Sequence, residues 1–231
     1  MRIGIIAEGP ADVAVLTNVL RGALAIDSEA VRFLRPDLQA DETDAHTQAP
    51  GRFSNFETVI EDCQQGELIE DFLTAEDEEG WVVVHLDAAE HYRITFAPEV
   101  LAAHPEQTPE AIRQRLCLQL ARWLAPRHLP RICRAIAVHE MDAWVLPLFD
   151  EKLRDTSAPR DAKGRLADAL QRQDIDEQKY GATTYARRLR LSKDLARRKH
   201  LQRCAERNFS LRLFLDELQA FLAPPSEPPE P

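Results

Sequence analysis

Glu8, Asp87, Glu140 and Asp142 lie far apart along the chain, yet each follows a short apolar run. Glu8 closes Arg2-Ile3-Gly4-Ile5-Ile6-Ala7, Asp87 closes Trp81-Val82-Val83-Val84-His85-Leu86, and the pair Glu140 and Asp142 follows Ile132 to Val138. Carboxylates gathered in one place repel one another unless something positive sits among them. A hard divalent cation is the usual solution, Mg²⁺ taking one or two carboxylates, several waters and substrate phosphates. Any one of these acids also reads as a cap on the helix that follows it. Recurrence at three strand ends favours a shared site.

The elements that would position them follow from periodicity. Arg2 to Ala7, Val31 to Leu34, Trp81 to Leu86 and Ile132 to Val138 read as strands, the third as a continuous apolar run of the kind buried on both faces of a parallel sheet. Between them, Val13, Leu16, Leu20 and Ala23 recur at helical spacing after Gly9-Pro10, and Thr108-Pro109-Glu110 opens a helix carrying Ile112, Leu116, Leu120 and Trp123 on one face. Phe56 to Leu73 reads as an acidic helical stretch, and residues 36 to 55 as a long polar loop. Strands alternating with helices predict a mostly parallel α/β sheet, whose sites assemble at the carboxyl ends of the strands. The organisation expected is an α/β core over 1–150, a helical extension packing on it over 151–222, and a disordered Pro/Glu/Ser tail over 223–231.

Charge is strongly segregated. The net charge is -10, residues 56 to 79 hold ten Asp or Glu and no Lys or Arg, and residues 178 to 207 hold ten Lys or Arg against Asp194 and Glu206 alone. Such a basic stretch can dock a polyanion on one face, can be a solvated helix face, or can pair with the acidic stretch or an acidic partner. No apolar run approaches the roughly 20 residues that span a bilayer, and Glu8 interrupts the first apolar run too early for a secretory signal. A cytoplasmic protein is expected, without a membrane span. Cys63, Cys117, Cys133 and Cys204 lie 54, 16 and 71 positions apart, which suits reduced, buried thiols rather than a zinc site. His139-Glu140 fails as a zinc-protease motif because the fifth position is Ala143, and no GxxxxGK[ST] phosphate loop occurs. His85, on a buried strand, reads as a hydrogen-bonded core histidine.

The strand followed by Glu8-Gly9-Pro10-Ala11-Asp12, then Val82 to Leu86 ending in Asp87, resembles a Toprim domain, the metal-dependent fold of topoisomerases, primases and OLD-type nucleases. Glu8 matches that family's strand-one glutamate and Asp87 the first aspartate of its DxD motif. His139-Glu140-Met141-Asp142-Ala143-Trp144 is similar to the Glu-x-Glu-Ala-Trp-like element of a compact Toprim-like group that includes RloB-type proteins of bacterial phage defence. Lys193-Asp194 and Asn208-Phe209-Ser210 resemble its C-terminal motifs. One departure stands out. The second DxD aspartate falls on Ala89, and Glu90 is the nearest carboxylate that could replace it.

The resemblance implies a Mg²⁺- or Mn²⁺-dependent phosphodiesterase, a nuclease of antiviral defence with nucleic acid and an adjacent ATPase as partners. Glu8, Asp87 and Lys193 would be catalytic; Glu8, Asp87, Glu90, Glu140 and Asp142 would serve the metal. Arg187, Arg188, Arg190, Arg197, Arg198 and Lys199 would draw in the polyanion. The alternative is a catalytically degenerate Toprim-like subunit that binds a partner or nucleic acid without cutting. A homo-oligomer is compatible with either.

Overall fold

Period-two alternation along the strands sorts the apolar residues onto two faces of one sheet. Ile3, Ile5, Val83, Cys133 and Ala135 contribute to one buried cluster, while Ile6, Val82, Val84, Leu86, Ile132 and Ile136 contribute to the other. A sheet apolar on both faces must be covered on both, and helices do so here. The computed structural model describes residues 1–36, 55–75, 79–157 and 161–222. Most of the expected loop over 36–55 and the whole tail over 223–231 lie outside the described residues.

In chain order the elements are β1 (Arg2–Ile6), α1 (Pro10–Leu24), β2 (Val31–Arg35), α2 (Phe56–Gln65), α3 (Glu67–Thr74), β3 (Gly80–Asp87), α4 (Pro98–Ala103), α5 (Pro109–Trp123), β4 (Ile132–Ala137), α6 (Asp142–Val145), α7 (Ala162–Arg172), α8 (Thr184–Leu191), α9 (Arg198–Ala205) and α10 (Phe209–Leu222). The described strands form one all-parallel sheet in the order β2-β1-β3-β4. The fold is α/β, a parallel sheet flanked by helices with a helical C-terminal part.

Two local rules show how the chain encodes these elements. The Thr108 hydroxyl accepts the Ala111 N–H at 3.2 Å and Pro109 takes the first turn of α5, where its missing N–H is no loss. The acidic stretch expected as one helix is two, because Gly66 adopts φ +74, a left-handed conformation that ends α2 and starts α3.

The C-terminal helices do not form a separate core. Leu166, Leu195, Leu201, Phe214 and Leu218 share a buried cluster with Ile3, Val13 and Trp144. Gly22 lets this happen: a Cβ there would stand 2.1 Å from the Leu195 carbonyl oxygen, so only glycine allows α1 to meet the turn Lys193–Ala196 this closely. All four cysteines are free and buried. No helix among the described residues is long and apolar enough to cross a membrane.

Candidate functional site

β1 leads by way of α1 to β2 on one side of it, and β3 then pairs on its other side. The strand order reverses between β1 and β3, and in parallel sheets the carboxyl ends of two such strands splay apart to leave a crevice. Glu8 follows β1 and Asp87 ends β3, so both acids stand at that crevice. The Asp87 N–H donates to Glu8 Oε1 at 2.7 Å, which fixes one acid against the other across the sheet.

The crevice opens into a cleft of about 220 Å³ lined by Glu8, Asp12, Asp87, Glu90, Glu140 and Asp142, with Lys163 and Arg188 as its cations. The structure thus brings the expected Glu8, Asp87, Glu90, Glu140 and Asp142 to one place. It adds Asp12, from the first turn of α1, and Lys163, from α7. Asp12 had a signal in the sequence, an acid in the helical turn just after a strand-end glutamate. Lys163 had none, because only packing carries α7 to the sheet edge.

Lys193 is a correction. It is exposed on the turn Lys193–Ala196 and does not line the cleft. Neighbouring Ser192 accepts from Asn18 Nδ2 at 2.9 Å, and Leu195 packs on Gly22. These α1 positions lie six and ten residues beyond Asp12, roughly 9 and 15 Å along the helix at about 1.5 Å per residue. Of the six basic residues expected to bind a polyanion, only Arg188 lines the cleft, and there it donates to Asp142 Oδ1 at 2.7 Å. Arg187 donates to Gln178 Oε1, Arg190 lies over the Tyr180 ring, and Arg197 pairs with Asp194 at 3.3 Å. Arg190, Arg197, Arg198 and Lys199 are exposed. The acidic α2 and α3 pack in the cluster on the other side of the sheet, so they do not neutralise this basic segment.

A polar clamp holds the loop that carries Glu140 and Asp142. Ser210 Oγ accepts from the Val138 N–H at 3.2 Å and from Trp144 Nε1 at 2.8 Å, and donates to Asn208 Oδ1 at 2.8 Å. Asn208 Nδ2 donates in turn to the Ala143 carbonyl at 3.2 Å. Ser210 and Asn208 are themselves buried, and Trp144 stacks on Phe214 at 5.4 Å between centroids. The Asn208-Phe209-Ser210 motif therefore does its work by positioning the acidic loop.

Burial and neighbouring charge raise the proton affinity of Glu8, Asp12, Asp87 and Asp142. Burial, then the Asp87 charge, pushes the Glu8 carboxyl up to about 8, and burial lifts Asp12 to about 7. Asp87 is driven well above the carboxylate range by burial and by the charges of Glu140 and Asp142. Burial also raises Asp142, against the opposing pull of Arg188. His85 is fully buried, as its strand position predicts, but neither ring nitrogen has a hydrogen-bond partner; Nε2 lies 3.3 Å from Asp87 Oδ1 without hydrogen-bond geometry. It pulls the Glu8 and Asp12 carboxyls downward.

The donor set suits a hard cation. Every acidic ligand candidate offers oxygen, and buried Asp87 Oδ1 and Glu140 Oε2 have no hydrogen-bond partner. Among the described residues no three His, Cys, Asp or Glu side chains are already drawn into a ligand set. Three of the carboxylates are engaged elsewhere: Glu8 holds the Asp87 N–H, Asp142 holds Arg188 and Glu90 holds Arg93.

Compared with protein-family models, curated proteins and solved structures, the chain matches none.

Proposed function

We propose that the chain is a Mg²⁺- or Mn²⁺-dependent phosphodiesterase of the Toprim-like kind, a nuclease acting in antiviral defence beside a partner ATPase. The observation that carries this reading is the single cleft in which six carboxylates face Lys163 and Arg188. Asp87 and Glu140, each with one buried oxygen that accepts no hydrogen bond, would hold the cation, with Glu8, Asp12 and Asp142 around it. A bound Mg²⁺ or Mn²⁺ would supply a water of lowered pKa and neutralise charge on the phosphate. Lys163, in place of the Lys193 that the resemblance implied as catalytic, meets a phosphate oxygen from the cleft rim. Arg188 exchanges the Asp142 carboxylate for a second phosphate oxygen, which its fork of donors fits. Carboxylates of the cleft not engaged by the cation accept the proton that the attacking water loses. The exposed Arg190, Arg197, Arg198 and Lys199 extend positive potential along the nucleic acid, a sequence-independent contribution.

Arg188 favours a second reading. Its guanidinium already neutralises Asp142, and Ala89 leaves the DxD pattern one carboxylate short, which suits a degenerate subunit that binds a partner or nucleic acid without cutting. Plasmid nicking with millimolar Mn²⁺ separates the two. Nicking by the native protein that is lost in Asp87→Ala supports the nuclease. A Mn²⁺-dependent rise in melting temperature with no cleavage of DNA or RNA supports the degenerate reading. The absence of both nicking and a Mn²⁺-dependent melting shift refutes a metal site.

A further inference from the structure

The concavity does not end at the acidic cleft. Beyond Glu140 a second groove of about 670 Å³ runs between the turn Ala88–Arg93, the start of α5 and the loop after β4. Ala89 and Glu140 line both spaces. The Ala89 N–H donates to the His139 carbonyl at 2.8 Å, so the backbone joins the two loops where the spaces meet. Position 89 is where the resemblance would place a second aspartate. Alanine there puts a methyl group, with Glu140, at the boundary of the two spaces where the resemblance would put a second carboxylate.

The two spaces differ in charge. Lys163 and Arg188 line the cleft, whereas among the described residues no Lys or Arg lines the groove, whose charged members there are Glu140 and Asp161. A phosphate is repelled from such a groove and a neutral group is not. Ile112 and Pro109 offer apolar surface, the setting in which a few placed polar groups orient a small ligand. His91 is one such group. Its Nδ1 lies 2.7 Å from the Ala88 carbonyl, which can only accept, so Nδ1 carries the hydrogen and, in the neutral ring, Nε2 is left as an acceptor. The same bond holds the ring in place. Gln107 and His139 supply further polar edges.

We propose that the groove is a nucleobase subsite, holding the base of the nucleotide next to the phosphate in the cleft, with His91 Nε2 accepting from a base N–H. The role beside the scissile phosphate rests on the phosphodiesterase reading; occupancy by a base does not. Uncharged nucleosides therefore test it without metal. Titrating adenosine, guanosine, cytidine and uridine, with their deoxy counterparts, into the native protein in EDTA should give at least one dissociation constant of about 1 mM or tighter. His91→Ala, and separately Ala89→Leu, should weaken that binding at least tenfold with the melting temperature within a few degrees of native. His91→Ala should also keep the native response to Mn²⁺. Binding by either sugar series supports the subsite, and the tighter series identifies DNA or RNA as the source of the base. No nucleoside binding by the native protein, or binding unchanged in both variants, overturns the proposal. A protein that binds nucleosides but neither responds to Mn²⁺ nor cleaves keeps the subsite and loses the phosphodiesterase.

Discussion

Glu8→Gln, an almost isosteric change, should make the metal-free protein more stable at alkaline pH and leave it unchanged in acid. The folded state raises the Glu8 carboxyl from 4.5 to about 8, so the folded chain binds this proton more tightly than the unfolded chain does. The stability associated with the protonated group is fully present below pH 4.5 and is lost progressively as the pH rises to about 8. At about 1.4 kcal/mol per pH unit the whole shift sets a ceiling of roughly 5 kcal/mol. Part of it is repulsion shared with Asp87, so the single substitution should recover on the order of 2–4 kcal/mol at pH 9. The Gln amide oxygen still accepts the Asp87 N–H, so that contact is kept. For a chain of this size the gain corresponds to about 5–15 °C in melting temperature. Thermal melts in EDTA from pH 4.5 to pH 9 read this directly. In millimolar Mn²⁺ the order should reverse, because a ligand that binds only the native state stabilises by mass action and Glu8→Gln weakens its site. A Glu8→Gln protein no more stable than native at pH 9 in EDTA would refute the electrostatic account of the cleft.

Three further outcomes are expected. Ser210→Ala leaves the Val138 N–H and Trp144 Nε1 buried without their acceptor, and should lower stability by about 2–4 kcal/mol in denaturant unfolding. Gly22→Ala drives a methyl into the Leu195 carbonyl and should destabilise by roughly 2–3 kcal/mol, measured the same way, although alanine is the better helix former. Reversing Arg190, Arg197 and Arg198 to Glu should weaken nucleic-acid binding and reduce its salt dependence by roughly 0.9 in the log-log slope per lost phosphate contact on duplex DNA. The melting temperature should hold, since these side chains are exposed; filter binding across a salt series beside thermal melts checks both.

Much of the scaffold was legible in the sequence because it rests on local rules. Apolar runs one strand long place β1, β2, β3 and β4 within a residue or two of where they stand, and Thr108-Pro109 marks the start of α5. That the strand-end acids Glu8, Asp87, Glu140 and Asp142 would gather in one place was readable for the same reason: a parallel sheet aligns the carboxyl ends of its strands whatever their separation in sequence. The cations were not readable this way. Lys193 stood out by resemblance, yet its turn is tied to the middle and far end of α1 through Asn18 and Gly22, while unremarkable Lys163 reaches the cleft. Nor could composition tell Arg188 from Arg187, although one lies against Asp142 and the other donates to Gln178. Strand periodicity is a property of neighbouring residues and survives in any sequence window. Which charge faces which depends on how whole helices dock, and that is decided by long-range packing such as the close approach of α1 to Leu195, which no local pattern records.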